Sequence, residues 1–163
     1  MTGWKGGGAG CIAAAQTADD QMRNVMDETA GFERDLFNLL SGSFVRVVGR
    51  PLVASGRNSS WLYAGAPFAV LAHNTEPDPR FIYANRTAQR LFEYDWEEFT
   101  NVPSRLSLPP VNRAERSGLL DEVSRNGFID DYSGIRVAKS GRLFRIEQAV
   151  VWQMLDQHGR VRG

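Results

Sequence analysis

The sequence predicts an α+β domain in which an antiparallel sheet carries helices on one face and is preceded by an N-terminal helix. Three observations carry this reading. Two short apolar runs, Phe68–His73 and Phe81–Tyr83, flank the turn Glu76-Pro77-Asp78-Pro79, where proline and aspartate preset the bend. Two longer alternating runs, Asp131–Ala138 and Leu143–Leu155, flank the tight turn Ser140-Gly141. Between these hairpins lie segments with helical caps, and helices between two antiparallel hairpins make an α+β domain.

The 163 residues suit one domain with an appendage. Residues 1–18 read as a disordered tail, because glycine and alanine leave little to bury. Gly8-Ala9-Gly10-Cys11 has the look of a lipoprotein box, but the residues before it lack the apolar core a secretory signal needs. Residues 19–53 form a helical segment. From about Asp20 to Val48, Phe32, Leu36, Leu39, Leu40, Phe44 and Val47 recur at helical spacing on one face. Gly49 and Pro51 end the helix. The stripe is expected to pack on the following domain, with a dimerisation helix as the other use of such a face. A polar linker, Ala54–Ser60, leads into the main domain, residues 61–163.

Within that domain Phe68, Val70 and Ala72 share one face of the first strand. Asn85 is placed to cap a short helix with Ala88, Leu91 and Phe92. Asp95 and Glu98 have capping-box spacing, as do Asn112 and Glu115. The helix after Asn112 turns Leu119, Leu120 and Val123 inward and stops at Asn126-Gly127. In the last strand Phe144, Ile146, Val150 and Trp152 are expected on one face, with Arg145, Glu147 and Gln153 on the other.

Several stretches, in order, resemble the MEKHLA domain family, whose fold is PAS-like. They include Leu71-Ala72-His73-Asn74-Thr75-Glu76-Pro77-Asp78-Pro79, Phe81-Ile82-Tyr83-Ala84-Asn85-Arg86 and Asp95-Trp96-Glu97-Glu98-Phe99-Thr100. Pro103-Ser104-Arg105-Leu106-Ser107, Pro110-Val111-Asn112-Arg113-Ala114-Glu115-Arg116 and Gly127-Phe128-Ile129-Asp130-Asp131-Tyr132-Ser133-Gly134 extend the match, which Phe144-Arg145-Ile146-Glu147 and Val151-Trp152 complete. The likeness runs from about Phe32, strongest over Phe68–Gly159. It implies a sensory or regulatory module that binds a small ligand or a protein partner, relays a signal and is not an enzyme. The alternative is an interaction or dimerisation module with no small ligand. Such a domain has five strands, the fifth central and beside the first. Here that strand begins near Arg160-Val161-Arg162 and is cut short at Gly163.

The candidate ligand-binding residues are Asn85, Trp96, Arg105, Asn112, Arg113, Phe144 and Gln148. Gln148 is a lone amide on the expected inner face, open either to a ligand or to a backbone partner. Arg105, Arg113 and Arg116 flank the helix start at Asn112, where free N–H groups favour anions. Salt bridges to Glu98, Glu115 or Asp130 would occupy them equally well. Asn85 and Asn112 are explained as caps alone, and Trp96 as a core residue or a ligand wall.

No metal site is expected, since His73 and His158 are distant and Cys11 lies in the tail. Haem-binding relatives of the fold take an axial ligand from the long helix, which here has no histidine. Flavin-adduct chemistry needs a cysteine near the middle helices, and the sole one is Cys11, so the cofactor stays unknown with noncovalent flavin open. Asp130 and Asp131 are adjacent, pointing to opposite faces of a strand, which argues against a catalytic carboxylate pair. Basic and acidic residues balance at 19 each, so neither nucleic acid nor a membrane is an expected partner. Without a long apolar run or a cysteine pair, the protein is expected in the cytoplasm.

Overall fold

The computed structural model describes residues 18–110 and 113–163, with side chains over 33–110 and 118–163. The chain divides into two compact units at Phe32 and Glu33. Of the first, the helical stretch from Ala18 is described; the expected tail up to Thr17 and the Asn112 cap fall outside the described residues.

The element order is α1 (Ala18–Val48), β1 (Leu71–His73), β2 (Phe81–Ala84), α2 (Arg86–Phe92), α3 (Trp96–Phe99), α4 (Arg113–Asn126), β3 (Phe128–Val137) and β4 (Leu143–Trp152). A short π-helical turn, Trp61–Gly65, precedes β1, and a 3-10 turn, Ser104–Ser107, precedes α4. Among the described residues the strands form two antiparallel pairs, β1–β2 and β3–β4.

From Leu36 onward the expected stripe on α1 is core; the side chain of Phe32 lies outside the described residues. Leu36, Leu40 and Phe44 are buried, and Leu36 and Leu40 join Leu62, Ala66, Val70, Tyr83 and Met154 in one cluster. Gly49, at φ 81, donates its N–H to the Val45 carbonyl and ends the helix as a left-handed cap. Ser43 ties α1 to the end of β4: its hydroxyl donates to the Gln153 carbonyl and accepts from the Leu155 N–H. A second cluster, Phe81, Ala84, Ala88, Phe92 and Phe99, packs Leu71 and Phe144 from the other side. Val70 and Ala72 belong to the first cluster and Leu71 to the second, so β1 is covered on both faces.

The capping box at α3 is present in full. The Asp95 carboxylate accepts from the Glu98 N–H and the Glu98 carboxylate from the Asp95 N–H. The tip of the β3–β4 hairpin clamps the end of α2. Lys139 N–H donates to the Phe92 carbonyl, and the Arg142 guanidinium donates to Glu93 and to the Leu91 carbonyl. Hydrogen bonds from Ser140 and Arg142 hold the Glu93 carboxyl below its usual range.

The last strand does not keep one face. The register pairs Gly134 with Ile146 but Tyr132 with Ala149, so β4 carries one extra residue around Glu147-Gln148. Ile129 then pairs with Val151, so β3 carries its own extra residue at Asp130-Asp131. Gln148 and Asp131 take left-handed backbone, φ 54 and 59, at these two bulges. The second bulge cancels the first in register, yet each turns the side chains of its strand over. Phe144 therefore packs with Phe92, while Trp152 packs with Phe44 of α1. The expected shared face of Phe144, Ile146, Val150 and Trp152 is corrected accordingly, as is that of Arg145, Glu147 and Gln153.

Burial of Tyr83, followed by the nearby Tyr63 and Glu33, pushes its phenol well above the ordinary tyrosine range. Because the folded pKa is raised, this group's contribution to stability is full below the unfolded value of about 10 and is lost as pH rises beyond it. Alkaline titration followed at 295 nm should show one tyrosine that ionises only with loss of near-UV circular dichroism. In Tyr83→Phe that late phase should be gone. Among the described residues no helix is long and apolar enough to cross a membrane.

Candidate functional site

The site is a cleft of about 790 Å3 between the two hairpins, with α1 on one side and α2 and α4 on the other. Leu40 and Phe44 line it from α1, Leu91 and Phe92 from α2, and Leu119 and Leu120 from α4. From the strands come two consecutive stretches, Leu71–His73 and Phe144–Trp152. The polar side chains in the lining are Arg50, His73, Thr87, Ser104, Ser107, Arg136, Arg145, Glu147 and Gln148; Arg50 is paired with Asp130 and Arg145 with Glu147.

The structure separates the residues proposed from sequence. Phe144 lines the cleft, its ring 4.9 Å from that of Phe92. Gln148 also lines it, but from the exposed bulge and not from an inner strand face. Its amide makes no hydrogen bond among the described residues. Left-handed backbone is costly for a residue with a Cβ, and such outliers are held at functional sites more often than elsewhere.

Asn85 is a structural hub. Its Oδ1 accepts from the N–H groups of Val70 and Ala88, both at 3.0 Å, and its Nδ2 donates to the carbonyls of Leu62 (3.2 Å) and Phe68 (2.8 Å). Two donors and two acceptors exhaust an amide of this kind, leaving nothing for a ligand. Trp96 packs edge-on against Tyr63 and Tyr83 in the α1 cluster and does not line the cleft. Arg105 forms a two-point ion pair with Asp78, at 3.0 and 3.2 Å, in place of the expected Glu98 or Asp130; the side chain of Glu115 lies outside the described residues. Asp130 pairs with Arg50. Asn112 lies outside the described residues, and Arg113 is described only as the first residue of α4.

Arg136 is the site residue that sequence reading missed. It pairs directly with Phe144 across the hairpin, so both project from the same face. It is half-buried, lines the cleft and has no carboxylate partner among the described residues. Its guanidinium sits over the Tyr132 ring, 5.3 Å from the centroid, donates to the Ile135 carbonyl at 2.9 Å and approaches the Tyr132 hydroxyl at 3.4 Å. Gly134 makes this fold-back possible, since a Cβ there would lie 2.5 Å from the Tyr132 hydroxyl. The spacing Tyr132-x-Gly134-x-Arg136 on one strand face was the signal available in the sequence.

Trp152 also lines the cleft, and its buried indole N–H has no acceptor among the described residues. Among the described residues no group of three histidine, cysteine, aspartate or glutamate side chains is placed to hold a metal.

No curated protein sequence matches the chain. Among solved structures, a PAS domain from Colwellia psychrerythraea is 16% identical with a TM-score of 0.52, covering 58% of this chain and 78% of that one. A variant of Vivid is 17% identical with a TM-score of 0.52, over 76% of this chain and 93% of that one. An RNA-binding light-oxygen-voltage receptor is 21% identical with a TM-score of 0.52, over 70% of this chain and 34% of that one. At these identities the likeness establishes a PAS-like fold. The model of the MEKHLA domain matches residues 34–163, the whole of the compact unit but its first residue, and the chain belongs to the MEKHLA domain family.

Proposed function

We propose that this domain is a non-catalytic sensory module that binds a small, largely apolar molecule in the cleft and relays the binding to a partner protein. The observation that carries this reading is Arg136 beside Phe144 on the cleft wall, a cation with no carboxylate partner among the described residues and next to an aromatic surface. Ligand sites combine an apolar lining with a few placed polar groups, and about 790 Å3 is within their usual volume. A carboxylate or carbonyl oxygen on the ligand would face Arg136, and the free Gln148 amide supplies a second hook. Binding would bias the packing of β4 on α1, where Phe44 meets Trp152, as a shift between two populations. The case against a nucleic-acid partner rests on the balanced charge alone, because the RNA-binding receptor above shares this fold.

The test is native mass spectrometry of the freshly purified protein, with identification of whatever heat denaturation releases. One small molecule per chain is expected. In Arg136→Met its occupancy should fall by about tenfold, the loss of roughly 1.4 kcal/mol of binding. Gln148→Gly is the sharper variant. Glycine accepts φ 54 without strain, so the variant should unfold at the same or a higher temperature while occupancy falls. An empty chain, or occupancy indifferent to both substitutions, would end this reading.

A further inference from the structure

We propose that an arginine-bearing surface, formed by the turn Trp61–Gly65 and the exposed side of α2, is the docking site for an acidic segment of a partner protein. The sequence sets its charge. Residues 36–75 contain no aspartate or glutamate, and neither do residues 79–92, yet Arg57, Arg86 and Arg90 fall within them. All three are exposed, and none has a carboxylate partner among the described residues. Elsewhere Arg50, Arg105, Arg142, Arg145 and Arg162 each pair with a carboxylate.

These three guanidinium groups are held in place without being neutralised. That of Arg57 sits over the Trp61 ring, 4.7 Å from its centroid, and that of Arg86 over the Tyr63 ring at 5.4 Å. The rings are themselves fixed edge-on, Trp61 against Phe68 and Tyr63 against Trp96. Arg90 donates to the Thr87 hydroxyl at 3.0 Å, and that hydroxyl donates to the Ala66 carbonyl at 2.8 Å. Next to Ala66, Gly65 lies against the Trp61 ring, where a Cβ would come within 3.0 Å of it. Arg90 is thereby linked to Arg57 through the turn, and Arg86 stands one helical turn before Arg90 on the same side of α2. A guanidinium stacked on a ring keeps its in-plane N–H fork open to a carboxylate at two points. Arg86 also stands in the first turn of α2, where a helix favours an acid, so helix stability gives no reason for a cation there.

The occupant's chemistry follows from these forks. Three of them along one arc call for several carboxylates spaced along a chain, as in a run of aspartate and glutamate. The half-buried Trp61 and Tyr63 beside them add apolar contact area, and tryptophan, tyrosine and arginine are the residues that carry most binding energy at protein interfaces. A nucleic acid fits less well, because guanidinium groups already cover ring faces on which its bases would stack. The proposal rests on the partner protein of the reading above and not on its small molecule, since none of Arg57, Trp61, Tyr63, Arg86 and Arg90 lines the cleft.

The probe is a fluorescein-labelled peptide, Gly-Ser-Asp-Glu-Asp-Leu-Glu-Asp-Phe-Asp-Gly-Ser, titrated by fluorescence anisotropy. Its control carries asparagine and glutamine in place of every acid. Saturable one-to-one binding is expected, weaker by about tenfold or more for the control. Arg57→Lys combined with Arg86→Lys keeps the charge but gives up the planar forks, and should weaken binding by about fivefold or more. Arg105→Gln should leave the affinity within about twofold, because that guanidinium is already paired with Asp78. Occupancy of the cleft, read by native mass spectrometry, should be the same in the double lysine variant as in the native chain. A failure of peptide binding is thus told apart from an empty cleft. Four results would overturn the proposal: no binding, equal binding of both peptides, a double lysine variant that binds as tightly as the native chain, or a labelled oligothymidylate bound more tightly than the acidic peptide. A dimer of the chain alone that the lysine substitutions abolish would also overturn it, by making a second copy the occupant.

Discussion

Asn85→Ala should lower the free energy of unfolding by about 4 kcal/mol, read from urea denaturation. The side chain is fully buried and its four hydrogen bonds join the N-terminus of α2 to Val70, just before β1, and to the carbonyls of Leu62 and Phe68. Alanine removes all four and leaves two N–H and two carbonyl groups buried. Each such group costs about 1–3 kcal/mol unmet, and relaxation recovers part of the sum. Loss of the helix cap is included, at about 1 kcal/mol. Asn85→Asp separates the two halves of the network. Its carboxylate still accepts from Val70 and Ala88 but faces the Leu62 and Phe68 carbonyls with no donor, so it should be nearly as damaging at neutral pH. A change under about 1 kcal/mol for alanine would mean that the two loops are held by something other than this amide.

The second large effect is expected at Phe99, 1% exposed at the end of α3. Its ring meets those of Phe81, Phe92 and Tyr94 edge-to-face, with centroids 4.9, 5.6 and 5.4 Å away. Phe99→Ala should cost about 3–5 kcal/mol, through lost transfer energy and the cavity left among three rings. Phe99→Leu should cost less than half of that, since most of the volume is kept. Because Phe92 also packs on Phe144, the alanine variant should loosen the cleft wall and lower ligand occupancy together with stability. Occupancy retained in a destabilised Phe99→Ala would separate the cleft from this cluster.

What the sequence made legible was local. The stripe on α1, the Asp95–Glu98 box, the glycine stops and the Ser140-Gly141 turn are set by residues a few positions apart, and they are present in the structure. The Asn85 cap was legible too, but its bonds to Leu62, Phe68 and Val70 reach across the fold, and no spacing announces them. Arg105 finds Asp78 for the same reason, across 27 positions. The bulges were invisible because glycine and asparagine usually mark left-handed residues, and here glutamine and aspartate occupy them. An alternation read straight through Gln148 assigns every later residue of β4 to the wrong side. Arg136 was passed over because a charged residue in an alternating strand ordinarily points to water.

The paired bulges also govern which length changes this hairpin can absorb. Removing Gln148 alone would slide the far half of β4 one position along β3, and Trp152 would leave Phe44 and α1. Removing Asp131 alone would produce the opposite slip. Removing one residue from each strand restores the pairing at both ends and reverses only the short stretch between them. The shortest viable relative of this hairpin should therefore be two residues shorter, with both losses made together, and never one.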